Sequence, residues 1–134
     1  MGGRLRVLVV EDNVLDAELL LRNLKRNGYV PVSARVETPE ELSAMLAADS
    51  WDLVIADNSM PHFSGSIVLE QLRNVEPALP VIIVSGSYSD EAARALIHSG
   101  ALDFVPKGDS SALLDAIRRA LAARADGGQD AAGA

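Results

Sequence analysis

The sequence predicts a doubly wound α/β domain built on one parallel sheet of five strands. Short β-branched runs alternate five times with segments of helical period. The runs are apolar throughout rather than at every second residue, and Asn, Gly or Pro punctuates most junctions.

The first run, Leu5 to Val10, leads into a helix whose Ala17, Leu20, Leu21 and Leu24 share a face before Asn27-Gly28 stops it. The second run is Val30 to Val36. Thr38-Pro39-Glu40-Glu41 then supplies an N-cap, a proline at the first helical position and an acid three residues after the cap. Leu53 to Ala56 forms the third strand, and a helix from about Ser64 through Val68, Leu69 and Leu72 follows until Glu76-Pro77 ends it. Val81 to Val84 precedes a helix over about Asp90 to Ser99, stopped by Gly100. Asp103 to Val105 precedes the last helix, about Ser110 to Arg124, with Leu113, Leu114, Ile117 and Leu121 facing inward. Strands apolar on both faces, each followed by a helix, indicate a sheet covered on both sides. Right-handed crossovers then bring all strand C-termini to one edge, where ligands of such sheets bind.

Composition narrows the function. A chain of 134 residues suits one domain, here residues 1–124, with the small polar segment 125–134 expected to be a disordered tail or a linker. With 49% apolar and 23% charged residues the chain is expected to fold. A formal charge of −7 opposes direct contact with nucleic acid and favours cations as ligands. The lack of cysteine removes disulfides and thiolate metal sites and is compatible with a reducing compartment. The apolar run in M-G-G-R-L-R-V-L-V-V-E-D is too short for a signal peptide, and no window approaches the roughly 18 apolar residues of a membrane span. A cytoplasmic setting is therefore expected, with no membrane contact. Trp51 is placed at the entrance to the third strand, and His62 and His98 are read as solvated.

The strand ends carry the chemistry. Strand one ends at Glu11-Asp12, strand three at Asp57, strand four at Ser85 and strand five at Pro106-Lys107, whereas strand two contributes no polar end. Each has an ordinary explanation: Asp12 or Asn13 as a helix cap, Asp57 as an Asx-turn, Ser85 as a loop residue, Lys107 as a solvated charge. Their convergence on one edge is what those explanations leave out. Two carboxylates about 5 Å apart repel by roughly 3 kcal/mol at an effective dielectric of about 20. A third acid makes a cation necessary, and Mg²⁺ suits one or two carboxylates with waters and a phosphate. Carboxylates, a metal, a hydroxyl and a lysine together are equipped for phosphoryl transfer, with Asp57 the best-placed acceptor.

Over about residues 5 to 124 the sequence resembles the receiver domains of two-component response regulators. The matching stretches are V-L-V-V-E-D-N, the D-x-x-M-P-x-x-x-G of Asp57 to Gly65, V-S-G after strand four, and the G-A-x-D-F-x-x-K of Gly100 to Lys107. The resemblance implies a flavodoxin-like (βα)5 fold with strand order 2-1-3-4-5. It implies that Asp57 accepts phosphate from a histidine kinase or a phosphotransfer protein. Asp12, Asp57 and the Ser59 carbonyl would bind Mg²⁺, with Glu11 acting mostly through water. Ser85 and Lys107 would hold the phosphoryl oxygens, Ser85 and Phe104 would act as switch residues, and Pro61 and Gly65 would shape the loop. Switching would involve the fourth helix, fifth strand and fifth helix, and a homodimer is compatible with that. Only self-phosphorylation and self-dephosphorylation are expected as activities. The departures are Gly108 where the family has proline, Ser85 for the commoner threonine, and Phe104 without a tyrosine hydroxyl.

The alternative reading is the N-terminal receiver of a larger hybrid sensor histidine kinase, which F-V-P-K-G-D-S-S-A-L-L favours. An aspartyl-nucleophile phosphatase would want a second aspartate where Ser59 stands. A receiver used only for docking would have no use for an intact set of acids, hydroxyl and lysine.

Overall fold

All five strands and five helices of the predicted alternation form, as β1 (Arg4–Val10), α1 (Val14–Arg26), β2 (Val30–Val36), α2 (Pro39–Ala48), β3 (Leu53–Asp57), α3 (Gly65–Val75), β4 (Val81–Ser85), α4 (Asp90–His98), β5 (Asp103–Pro106) and α5 (Ser110–Gly133). The computed structural model describes residues 3–87 and 89–133, with side chains up to residue 123. The strands make one sheet in the order β2-β1-β3-β4-β5, with every neighbouring pair parallel. This is the flavodoxin-like topology expected from the sequence.

Alternating side chains of each strand supply two separate cores. Leu8, Val10, Val54, Ala56, Ile83 and Phe104 pack under α2, α3 and α4. Leu5, Val7, Val9, Leu53, Ile55, Ile82 and Val105 pack under α1 and α5. The central strand β3 is buried along its whole length, because helices cover both of its faces. Trp51 lies just before it, buried, with its indole N–H donating to the Met45 carbonyl at 2.9 Å and the Arg6 guanidinium 5.7 Å from the ring centre.

Local chemistry sets the helix ends. The Thr38 hydroxyl accepts from Glu41 N–H at 3.1 Å, and the Glu41 carboxylate reaches back to Glu37 N–H at 2.8 Å, one residue earlier than a standard capping box. The C-terminus of α1 closes on Gly28, at φ +94, as Gly28 N–H bonds Lys25 O and Tyr29 N–H bonds Leu24 O. Only a residue free to adopt positive φ completes this Schellman turn cheaply. The last helix continues to Gly133, past Arg124 where the helical pattern was expected to stop. The side chains of 124–133 and all of Ala134 lie outside the described residues.

On the inner face of α5, Leu113 and Ile117 are buried as expected and Leu114 and Leu121 are half-buried. Ala116 and Ala120 are fully buried between them. Their small size lets the helix approach the sheet, so Ala120→Leu should overpack this contact. The expected cost is about 1–3 kcal/mol of stability, read from urea unfolding.

Candidate functional site

Sheet register assembles the site. Val10 pairs with Ala56 and Asp57 pairs with Val84, which sets the residue after β1 level with the end of β3. Glu11 and Asp57 are thereby buried at 4% and 3% exposure, with Asp12 exposed beside them. One carboxylate oxygen from each of these three acids lies within 4.8 Å of the others. Ser85 ends β4 and pairs with Pro106 of β5, which delivers Lys107 to the same edge. The expected convergence of Glu11, Asp12, Asp57, Ser85 and Lys107 therefore holds.

The cap on α1 separates the two readings of the acids. Asn13 is the N-cap, its Oδ1 accepting from Asp16 N–H at 3.1 Å, so Asp12 stands outside the cap. Asp57 does form an Asx-turn, with Ser59 N–H donating to Oδ1 at 2.9 Å, but its Oδ2 also meets the Lys107 ammonium at 3.1 Å. Glu11 accepts from Asn13 N–H at 3.2 Å through one oxygen and from Lys107 at 3.1 Å through the other. Asn58 Oδ1 accepts from Gly65 N–H at 2.9 Å, and a Cβ on Gly65 would stand 2.8 Å from that oxygen. Glycine at 65 thus lets the loop after Asp57 close on the start of α3.

Charge in this pocket is shared unequally. Burial pushes the Glu11 carboxyl up to about 7, and its hydrogen bond with Asp57 adds to the rise against the pull of Asn13 N–H and Lys107. Burial opposes ionisation of Asp57 too, yet the bonds from Ser59 N–H, Glu11 and Lys107 outweigh it and hold this carboxyl below its usual range. Burial likewise works against the Lys107 charge, and Asp16, Asp57 and Glu11 together overcome it and raise its pKa. Asp57 is the more acidic member of the pair and Glu11 the one with the higher proton affinity. The donor set is entirely carboxylate oxygen, without sulfur or imidazole, which fits a hard divalent cation such as Mg²⁺.

Other expected residues sit differently. Ser85 is buried, but its hydroxyl donates to Ser87 O at 2.9 Å and accepts from Ser87 N–H at 3.2 Å within its own loop. Phe104 is buried at 3% exposure with Ala93 and Leu96 of α4 in the same core. Pro61 is exposed in the loop before α3, as is His62, and His98 is exposed at the end of α4. Gly108 adopts φ +88, a conformation proline cannot take, so the loop after Lys107 follows a path of its own.

Two participants escape the sequence pattern. Asp16, in the first turn of α1, lies 2.7 Å from the Lys107 ammonium. An acid in the first turn of a helix is ordinary, so the sequence carries no signal for this contact. Arg35 corrects the expectation that strand two offers no polar group at this edge. Its guanidinium donates to the Glu11 carbonyl at 3.0 Å and to Glu37 at 2.8 Å, bracing the acid loop from the edge strand.

An acid cluster on a lysine stands at the carboxyl edge of a flavodoxin-like sheet, where ligands of such sheets bind, and sequence comparison gives the family. The family model described as the response regulator receiver domain matches residues 7–118. The chain belongs to this family and is a receiver domain of two-component signalling. It is 35% identical over 127 residues to the response regulator MprA of Mycobacterium avium (strain 104), covering 95% of this chain and 55% of that protein. The chain thus spans about half the length of that relative. The structure is similar to NtrX from Brucella abortus, solved in complex with ATP, at a TM-score of 0.81 and 25% identity over 95% of this chain and 29% of NtrX. It is also similar to the signal receiver domain of a signal transduction histidine kinase from Syntrophus aciditrophicus, at a TM-score of 0.73 and 26% identity over 88% of this chain and 90% of that one. Response regulators receive phosphoryl groups from histidine kinases, and receiver domains bind Mg²⁺ at an acidic pocket. Among the described residues no helix is long and apolar enough to cross a membrane.

The raised Glu11 pKa makes stability depend on pH. In metal-free protein the folded state keeps a proton that the unfolded state loses, so stability should fall as pH rises from about 4.5 to about 7. The expected fall is on the order of 2 kcal/mol. Urea unfolding near pH 5 and near pH 8 measures it. Glu11→Gln should flatten the slope, and an equal slope in both proteins would remove Glu11 as its source.

Proposed function

We propose that this domain accepts a phosphoryl group on Asp57 from a phosphohistidine of a histidine kinase or a phosphotransfer protein, and uses it to switch the α4-β5-α5 face. The observation that carries the reading is Asp57 itself: buried, ionised, and held through one oxygen by a backbone N–H and through the other by Lys107. A carboxylate fixed in this way is a preoriented nucleophile. Its oxygen bonds to phosphorus as the P–N bond of the donor breaks, and the electron pair leaves on the imidazole nitrogen.

Asp12, Asp57 and the Ser59 carbonyl are the residues we assign to Mg²⁺, with Glu11 acting through water. Bound there, the ion would offset charge on the phosphoryl oxygens. Lys107 would pair with one of those oxygens, exchanging its bond to Asp57 Oδ2 for one to the phosphoryl group. Ser85 would leave its bond to the Ser87 carbonyl to donate to another. The added charge, about −1.5 to −2, would draw both loops inward. Phe104, which shares a core with α4, is the residue through which that movement would reach the output face. Pro61 and Gly65 shape the loop beside the acceptor.

A second reading places the same chemistry in a hybrid sensor histidine kinase. The likeness to the receiver domain of the Syntrophus kinase supports it. In either setting the partners are proteins, a second copy of this chain among the candidates, and the net charge of −7 argues against direct contact with nucleic acid. The cysteine-free composition suits the cytoplasm, where we place the domain.

Incubation with acetyl phosphate and Mg²⁺ followed by intact mass measurement tests the reading. One phosphoryl adduct is expected on the wild type and none on Asp57→Asn. An unmodified wild type, under conditions that modify a control receiver, would overturn it.

A further inference from the structure

Three carboxylates compete for one ammonium at this site. Lys107 Nζ lies 2.7 Å from Asp16, 3.1 Å from Glu11 and 3.1 Å from Asp57. Glu11 and Asp57 belong to the group of oxygens that, with Asp12, lies within 4.8 Å, and Asp16 does not. Asp16 instead sits one helical turn into α1, anchored through its N–H to Asn13, and lines a cavity of about 220 Å³ between α1 and the loop after β5. Two acids therefore draw Lys107 into the cluster, and one, with the shortest contact, draws it out towards α1.

We infer that Asp16 is a positioning residue that holds the Lys107 ammonium to the α1 side of Asp57 and so keeps it from occupying the place of the divalent cation. An ammonium on a flexible four-carbon stem goes where its acceptors place it. With Asp16 removed, its remaining carboxylate partners are Glu11 and Asp57, and it moves towards them. Repulsion between cations grows inversely with their separation, so the same movement weakens metal binding. This rests on the Mg²⁺-dependent reading above.

A charge acting merely at a distance would also weaken binding on removal, and a double-mutant cycle separates the two. Mg²⁺ is titrated calorimetrically into the wild type, Asp16→Asn, Lys107→Met and the double variant, all as the full chain, with circular dichroism confirming that each is folded. Asp16→Asn is expected to weaken Mg²⁺ binding about three- to tenfold more when Lys107 is present than in the Lys107→Met background. Asp16→Glu, which keeps the charge and adds one methylene of reach, should retain most of the wild-type affinity. In metal-free protein the nitrogen resonance of the Lys107 ammonium should shift in Asp16→Asn. Equal weakening in both backgrounds, or tighter binding by Asp16→Asn, overturns the inference while leaving the phosphoacceptor reading in place. A wild type that takes up no Mg²⁺ overturns both.

Discussion

Glu11 and Asp57 stand beside one another because the parallel register of β1 and β3 leaves them no other arrangement. Val10 is paired with Ala56, and both strands are packed on two faces, so the backbone positions of the two acids are fixed by the core beneath them. Two acids this close repel by a few kcal/mol, and burial removes the water that would soften the repulsion. The surrounding groups answer that cost one by one: the Ser59 and Asn13 N–H groups, the raised proton affinity of Glu11, and the Lys107 ammonium. An arrangement so costly to keep is expected at a functional edge rather than in a purely structural one.

The scaffold divides its labour accordingly. Of these groups only Asp57 lies within a strand, and Glu11, Asp12 and Lys107 stand on the first residues of the loops that follow β1 and β5. Ser85 is bonded within its own loop, and the Lys107 N–H bonds the Ser85 carbonyl at 2.7 Å. The loops after β4 and β5 are thus already tied to each other. Arg35 braces the acid loop from β2 on the other side, through the Glu11 carbonyl.

Much of this is legible in the sequence, and what is not has physical causes. The elements show because their hydrophobic periods differ sharply and because Gly28, Thr38-Pro39 and Gly100 mark their ends chemically. Asp57 and Lys107 show because a charged residue at the tip of an apolar strand is conspicuous. Asp16 does not, since an acid in the first turn of a helix is ordinary and only the fold reveals that Lys107 lies above it. Arg35 is hidden for a similar reason: alternating polar residues on an edge strand read as solvated. The choice of Asn13 over Asp12 as the cap depends on backbone geometry that two adjacent capping residues cannot express. Ala116 and Ala120 give no contrast in an alanine-rich helix, although their burial decides how closely α5 approaches the sheet.

Gly108 bears on how the site responds to a change of charge. The lysine before it is held by Asp16, Glu11 and Asp57 at once, so any new acceptor on Asp57 must take the ammonium from acids already in place. A loop stiffened by proline would resist the accompanying backbone shift. Glycine at φ +88 places little conformational restriction on it, and the Ser85 carbonyl bond transmits it to β4. In the function proposed above, the free energy of switching is therefore set as much by the release of Lys107 from its present partners as by the attraction of the phosphoryl group. A receiver with fewer acids around its lysine would switch against a smaller electrostatic hold.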